Sequence, residues 1–413
     1  MRRNGRVLIT VVGLALTALL AAVPPVAAQA PVKIGVLAPV TGVFASFAKD
    51  IVDGAQLFNA EFGGQLGGRK LELIVEDYQV RPDVAVTKMR KLAEQDHVHA
   101  VVGIVLSAAA IAVKDYVNTQ KVPLLISGFA VAENLTLQPN PYVFRITYTG
   151  NMTGGPAGTW AYKHLKARKA AIIASDSVGP LEIILAWARA FEEAGGKVVQ
   201  EVYAPLGTAD FAPYVAQLRR DVDVIGVQTV GADGVRFVKQ WREYGMQGKI
   251  PLVDAAVGFS DLSLLPASGE AAVGGYNSQP YQYTLDTPRN KKFVQAFRAK
   301  FNRDPGAPAV FTYSALLAID QAAKALGGKV EDSARLIEAL RKMDLDAPQG
   351  RIHFDKLQNV VSDIYISRID KIGSQIVPTV IETIRNVDQF LGLSPEEYMK
   401  KPRLVNLKGT FAK

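Results

Sequence analysis

The most constraining feature of this sequence is a regular alternation of short apolar segments with longer helical patterns over residues 32–255. Such alternation is typical of a parallel sheet flanked by helices, and it favours two open α/β lobes with a seam at residues 141–155, where Pro, Gly, Asn and Thr are concentrated. The predicted strands are Val32–Ala38, Leu71–Glu76, Ala100–Val105, Pro123–Ser127, Ala170–Ala174, Val198–Ala204, Val222–Thr229 and Pro251–Ala255. The predicted helices are Phe47–Phe62, Asp83–Gln95, Ala108–Thr119, Pro156–Leu165, Leu181–Ala194, Phe211–Arg220 and Gly234–Tyr244.

Beyond residue 275 the pattern changes to consecutive helices. Helices are predicted at Arg289–Phe301, Ala309–Leu326 and Ser333–Lys342. Strands at Arg351–Phe354 and Asp363–Arg368 are predicted to close the chain, followed by a tail after Asn386 without low-complexity sequence.

Residues 1–28 have the pattern of a cleavable secretory signal peptide. Three arginines precede an apolar run, Val7–Val23, and small residues lead to a predicted cleavage after Ala28. A transmembrane anchor is the alternative, but Pro24 and Pro25 break the run, which is short for a spanning helix. We therefore expect export.

The composition narrows the compartment and the partners. The chain contains no cysteine, which excludes disulfides, thiolate metal sites, a cysteine nucleophile and a lipid anchor on cysteine. We expect a soluble, monomeric protein without a lipid anchor in the periplasm. Its net charge of +8 falls to +5 without the three signal arginines, and the remaining basic residues are dispersed, so the sequence does not favour nucleic-acid binding.

One strand-to-helix junction predicts an anion site. The segment VVGIVLSAAAIAV, residues 101–113, places Ser107 where an Ala-rich helix follows an apolar strand. A helix start has unpaired N–H groups and the positive end of the helix dipole, and a serine hydroxyl adds a further donor. The alternative is that Ser107 only caps its helix.

Catalytic motifs are missing from the sequence. There is no G-x-S-x-G and no H-E-x-x-H, and none of the four histidines falls on a predicted loop between a strand and a helix at the cleft. The run GGQLGGRK at residues 63–70 has Arg69 where a phosphate loop requires lysine and follows a helix, so we interpret it as a turn. We expect no enzyme activity, no metal and no cofactor.

Six segments of the sequence together carry a family resemblance. They are KIGVLAPVTG (33–42), GRKLELIVEDYQ (68–79), VVGIVLSAAA (101–110), PYVFRITYT (141–149), EEAGGKVVQEVYAPLGTADFAPYVAQL (192–218) and RIHFDKLQNVV (351–361). Their order and spacing resemble the leucine/isoleucine/valine-binding family of periplasmic solute-binding proteins, which have the type I binding-protein fold.

The resemblance implies an α/β fold of two doubly wound parallel-sheet lobes joined by three hinge crossovers. Lobe 1 would comprise residues 31–148 plus 278–350, and lobe 2 residues 149–277 plus 351–413. The lobes of such proteins close on a ligand and deliver it to an inner-membrane ABC permease with its ATPase, so these are the implied partners.

The resemblance also assigns candidate ligand contacts. Ser107, next to Leu106, matches the serine that holds the ligand carboxylate in amino-acid binders. Phe129 and Val131 match a small residue and a threonine, so the threonine hydroxyl is lost. Phe47 keeps an aromatic contact.

The second lobe departs from the family pattern. The aromatic residue expected near Val230 is absent, and the acid that pairs the ligand ammonium aligns with Ala256 or Val257. Because an unpaired buried ammonium is unfavourable, we expect a ligand without one. Further candidate contacts on cleft loops are Phe44, Tyr148, Phe259 and, as a second anion partner, Arg81.

The sequence therefore predicts the periplasmic substrate-binding component of an ABC transporter for a small carboxylate with an apolar or aromatic body. The alternatives are a binding protein for branched-chain or other hydrophobic amino acids and a ligand-sensing receptor domain.

Overall fold

The computed structural model describes residues 29–412, and Val32–Lys413 form one compact unit. The predicted signal peptide lies outside the described residues. The strands are β1 Val32–Ala38, β2 Gln65–Leu66, β3 Arg69–Asp77, β4 Ala100–Gly103, β5 Leu124–Ile126, β6 Val143–Arg145, β7 Lys169–Asp176, β8 Lys197–Pro205, β9 Val224–Gln228, β10 Leu252–Asp254, β11 Tyr276–Gln279, β12 Asp344–Ala347, β13 Gly350–Phe354, β14 Val360–Ile372 and β15 Gln375–Val387. The helices are α1 Ala45–Glu61, α2 Pro82–Arg90, α3 Ser107–Gln120, α4 Asn134–Leu137, α5 Gly150–His164, α6 Val178–Glu193, α7 Ala212–Gln217, α8 Ala232–Glu243, α9 Leu265–Ser268, α10 Pro288–Phe301, α11 Ala307–Ala325, α12 Ser333–Leu340 and α13 Pro395–Lys400.

Two sheets organise the unit. The first has six strands in the order β2-β3-β1-β4-β5-β6, parallel except for the β2–β3 hairpin. The second has nine strands: β12-β13-β14-β11-β10-β9-β7-β8, with β15 paired to β14. Its strands β7 to β11 run parallel, and β14 adds antiparallel pairs to β11, β13 and β15. The predicted doubly wound α/β class is confirmed.

The chain passes between the two sheets three times. It passes from the first sheet to the second after β6. After β11 it returns to the first-sheet half, where α10 to α12 pack, and it enters the second sheet again through β12 and β13. Residues 148, 278 and 350, which we propose as lobe boundaries, lie within or next to these crossings.

Helix α5 begins six residues before the predicted start at Pro156. Thr149 caps it through its side chain, and Gly154 and Gly158 face helix α6, where an added Cβ would lie 2.2 Å from Ile183 O and 2.1 Å from Trp187 O. The helix thus includes residues that indicate a loop in isolation, because close packing against α6 stabilises them as helix.

The C-terminal prediction is wrong in one respect. The two predicted strands do not close the chain, because β15 pairs with β14 and α13 follows it. Helix α13 starts with a capping box in which Ser394 and Glu397 exchange hydrogen bonds, a local signal present in the sequence. Its Tyr398 packs with Leu137 and Phe390 in a small separate apolar cluster.

No helix among residues 29–412 combines the length and apolar character needed to cross a membrane.

Candidate functional site

A small cavity lies where loops from the carboxyl ends of strands in both sheets meet. It has a volume of about 20 Å³, room for one water molecule. The residues that line it are Phe44, Phe47, Val105, Leu106, Ser107, Phe129, Val131, Ser177, Gly179, Pro180, Ile183, Val230 and Val257. They follow β1, β4 and β5 of the first sheet and β7, β9 and β10 of the second, the position at which open α/β sheets bind ligands.

The turn between β4 and α3 is strained and held in place. Ile104 is β-branched and has a φ of 60°, a conformation that costs about 1–3 kcal/mol. The buried Tyr78 hydroxyl accepts hydrogen bonds from the N–H groups of Val105 at 3.0 Å and Leu106 at 2.9 Å. This network positions Ser107, which is only 3% exposed.

Ser107 does not cap its helix. The N-cap position of α3 is Leu106, and no side chain makes a capping bond there. Instead, Ser107 Oγ accepts hydrogen bonds from the N–H groups of Val131 at 3.1 Å and Ala132 at 3.2 Å. Because the oxygen accepts both bonds, the Ser107 hydroxyl hydrogen is left to be donated beside the first turn of α3, a position that suits a carboxylate oxygen.

The loop after β5 is fixed from behind by a buried cation. The guanidinium of Arg145 donates to the carbonyl oxygen of Val131 at 3.0 Å and to that of Ala132 at 2.6 Å. Burial lowers the pKa of Arg145 to about 10, which still leaves it charged at neutral pH.

Aromatic rings form the first-sheet wall of the cavity. Phe44 and Phe47 stack with centroids 6.0 Å apart, and Phe47 meets Phe129 edge-on at 4.8 Å. Tyr148 lies behind this wall, 6.0 Å from the Phe129 ring, and does not line the cavity. Burial raises the pKa of Tyr148 above its usual range, so its phenol is neutral.

The second-sheet wall contains residues that the sequence did not single out as ligand contacts, although residues 175–180 were expected to form a cleft loop. Ser177, Gly179, Pro180 and Ile183 come from the β7–α6 junction. Ser177 is the N-cap residue of α6 but makes no capping hydrogen bond. The available signal was a glycine and a proline in the first turn of a helix directly after a strand, where proline is tolerated and glycine permits a close approach.

Besides Tyr148, two further predicted contacts do not line the cavity. Arg81 is exposed and pairs with its neighbour Asp83. Phe259 is buried next to a different cavity in the second-sheet half, lined also by Trp241 and Tyr276. The other candidates, Phe44, Phe47, Leu106, Ser107, Phe129, Val131 and Val230, all line the central cavity.

The cavity lining carries no ionisable side chain among the residues that the structure describes. Asp233 is paired with Arg236 at 2.8 Å and accepts from the Gly207 N–H. Asp254 accepts four hydrogen bonds from its own loop, from the N–H groups of residues 256, 258 and 260 and from the Ser260 hydroxyl. Neither carboxylate faces the cavity.

The same part of the chain, residues 29–412, contains no cluster of three His, Cys, Asp or Glu side chains arranged to hold a metal ion.

Comparison with known proteins places the chain in a family. The sequence model of the periplasmic binding protein family matches residues 31–374. The chain belongs to this family.

Its relatives share the family's length and fold. The Leu/Ile/Val-binding protein homolog 6 of Brucella melitensis is 29% identical over 348 residues, which cover 82% of this chain and 88% of that protein. An ABC transporter substrate-binding protein from Sphaerobacter thermophilus is 32% identical, with a TM-score of 0.81 over 87% of this chain and 99% of that one.

A third similar protein was solved with a ligand. The solute-binding protein of an ABC transporter from Rhodopseudomonas palustris BisB5, in complex with 3,4-dihydroxybenzoic acid, is 28% identical, with a TM-score of 0.81. It covers 86% of this chain and 98% of its own. The predicted resemblance is confirmed, and the chain is an ABC transporter substrate-binding protein of the type I fold.

Proposed function

We propose that this protein captures a small carboxylate with an apolar or aromatic body between the two sheets and delivers it to an ABC permease and ATPase. The observation that carries the proposal is the lining of the central cavity. It combines the hydroxyl donor of Ser107 with a wall of three phenylalanines and offers no carboxylate.

The chemistry of the lining favours a carboxylate without an ammonium group over an amino acid, which carries both. The Ser107 hydroxyl accepts from the N–H groups of Val131 and Ala132, so its own hydrogen can be donated to a carboxylate in a charge-assisted hydrogen bond. An α-ammonium needs an anionic partner once it is desolvated, and the two nearby loops keep Asp233 and Asp254 engaged elsewhere. Phe44, Phe47 and Phe129 provide ring faces and edges for an aromatic body.

The cavity is too small for the proposed ligand, so binding requires a conformational change. Space for one water molecule cannot hold an aromatic acid, so binding requires the two walls or the phenylalanine rings to move apart. A hinge at the three crossings supplies such a motion, which the ligand reverses by contacting both walls.

The similarity to a protein that binds 3,4-dihydroxybenzoic acid supports this ligand class. The Leu/Ile/Val-binding relatives favour a hydrophobic amino acid instead. One observation is compatible with that second candidate: Asp261 is buried, and its Oδ2 has no hydrogen-bond partner within residues 29–412. However, Asp261 does not line the cavity.

The family and the predicted signal peptide support a periplasmic location. We propose that the protein acts there as a monomer.

A ligand screen tests the proposal. The mature protein is heated with benzoate, hydroxybenzoates, cinnamate or short fatty acids, and in parallel with leucine, isoleucine, valine or phenylalanine. We expect the melting temperature to rise with one of the aromatic or aliphatic acids, because a ligand that binds only the folded state stabilises it. A rise with the amino acids alone would establish the second candidate.

A further inference from the structure

Two successive peptide groups after β5 are held at both ends by side chains. In the Val131–Ala132 peptide, the carbonyl oxygen accepts from Arg145 Nη1 at 3.0 Å, and the N–H donates to Ser107 Oγ at 3.2 Å. In the Ala132–Glu133 peptide, the carbonyl oxygen accepts from Arg145 Nη2 at 2.6 Å, and the N–H donates to Glu182 Oε2 at 2.6 Å. Since C=O and N–H point in opposite directions in a trans peptide, one guanidinium fixes the direction of both N–H groups.

The two N–H groups lead to different parts of the molecule. The Ala132 N–H reaches Ser107 at the central cavity, whereas the Glu133 N–H crosses to Glu182 on helix α6, which follows β7 of the second sheet. Arg145 therefore links the hydrogen bond that holds Ser107 at the cavity to a hydrogen bond between the two halves of the molecule.

Burying the Arg145 guanidinium has an unfavourable desolvation free energy, which a role in packing alone would not offset. Its side chain is fully buried, and its Nε has no partner in the described part of the chain. The ionisable side chains near it are the acids Glu182, Asp355 and Glu133 and the cation Lys114. The planar guanidinium presents two N–H donors at a fixed spacing, one for each carbonyl oxygen. The single ammonium of a lysine cannot reproduce this geometry.

We propose that Arg145 is a positioning residue that couples ligand capture to the contact between the two halves. It does not touch the ligand. It directs the Ala132 N–H towards Ser107 Oγ and the Glu133 N–H towards Glu182. The first of these bonds holds the Ser107 oxygen as an acceptor and leaves its hydroxyl hydrogen for the carboxylate, and hydrogen bonds at either end of a peptide strengthen each other. This inference rests on the proposed function for its ligand.

A double-mutant cycle tests the coupling. Calorimetry with benzoate, or with whichever acid stabilises the protein in the screen, compares the wild type, Arg145→Lys, Glu182→Gln and the double variant. We expect Arg145→Lys to weaken binding about tenfold and Glu182→Gln about threefold. The double variant should bind no worse than Arg145→Lys alone, because the Glu133 N–H has already lost its direction.

The matched control is Arg69→Lys. Arg69 is also buried and donates to a backbone carbonyl, that of Gly328, but it does not line the cavity. We expect this variant to keep the wild-type affinity. An affinity loss equal to that of Arg145→Lys, or losses that simply multiply in the double variant, would overturn the proposal. If Arg145→Lys does not fold, Arg145→Gln replaces it, since its amide can serve one carbonyl but not both.

A readout without ligand separates this inference from the proposed function. In amide NMR spectra of the protein alone, Arg145→Lys should shift the resonances of both Ala132 and Glu133, whereas Arg69→Lys should shift neither. If no acid binds the wild type, the proposed function fails while these shifts still support the positioning role. Unchanged Ala132 and Glu133 resonances overturn that role whatever the ligand is.

Discussion

Ser107 joins two strand-to-helix loops through a single oxygen atom. Its Oγ accepts from two N–H groups of the loop after β5, and its hydroxyl hydrogen remains to be donated. The sequence alone left open whether this serine caps α3 or binds an anion. The structure removes the first option, because Leu106 occupies the N-cap position.

Replacing Ser107 by alanine tests its role in binding. We expect Ser107→Ala to weaken acid binding by about 1–3 kcal/mol, because a hydrogen bond to a charged group is lost. Isothermal titration calorimetry measures this change. Ser177→Ala serves as the comparison, since Ser177 also lines the cavity but bonds to neither N–H group. Equal affinities of Ser107→Ala and wild type would exclude a carboxylate contact at this hydroxyl.

At the scale of elements, the site depends on how closely α6 approaches α3. A Cβ added to Gly179 would lie 2.9 Å from Ser107 Oγ and 3.3 Å from Val131 Cγ2. Only a residue without a side chain lets these elements come together. The loop order along the chain was predictable, since each loop follows a parallel strand. This distance was not, because it depends on residues 72 positions apart in sequence.

Gly179→Ala should therefore hold the two elements apart. We expect the affinity to fall about tenfold, because overpacking a tight contact costs about 1–3 kcal/mol. The melting temperature of the protein without ligand should change little. Calorimetry and a melting curve measure the two quantities. Gly155→Ala is the control, because its added Cβ would meet the end of the Leu391 side chain, away from the cavity. A Gly179→Ala variant with wild-type affinity would show that this approach is not needed.

At the scale of the whole molecule, the contact between its halves includes a pair of buried carboxylates. Glu182 accepts from the Glu133 N–H, and the Glu133 carboxylate accepts from the Tyr398 hydroxyl and the Leu404 N–H of the C-terminal segment. Burial and then the charge of Glu133 raise the pKa of Glu182 to about 8, while Arg145 and Arg403 oppose this shift. The folded protein thus takes up a proton that the unfolded chain releases at neutral pH.

This shift predicts a pH dependence of stability. A carboxyl whose pKa is raised on folding contributes stability that is fully present below its unfolded value of 4.5 and is lost as the pH rises towards about 8. Glu182→Gln removes this titration. We expect the melting temperature of the variant to fall less than that of the wild type between about pH 5 and about pH 8. Parallel slopes for the two proteins would contradict the prediction.

Comparing the two proteins, rather than the wild type alone, is necessary in this experiment. Burial also raises the pKa of Asp254 to about 6 and that of Asp261 to about 7, and both carboxyls titrate in the same range. They are present in both proteins, so the difference between the two slopes reports Glu182.

The sequence by itself determined the fold class, the alternation of elements and the loops that can line a cleft. These follow from local periodicity and from the rule that parallel strands end at one edge of their sheet. Only the tertiary structure decided which residues meet at the cavity. In the structure, Gly179 packs against Ser107, Arg81 and Phe259 lie away from the cavity, and Arg145 donates to two peptide groups. These contacts join segments that are distant in sequence, so they depend on packing that no local sequence pattern contains.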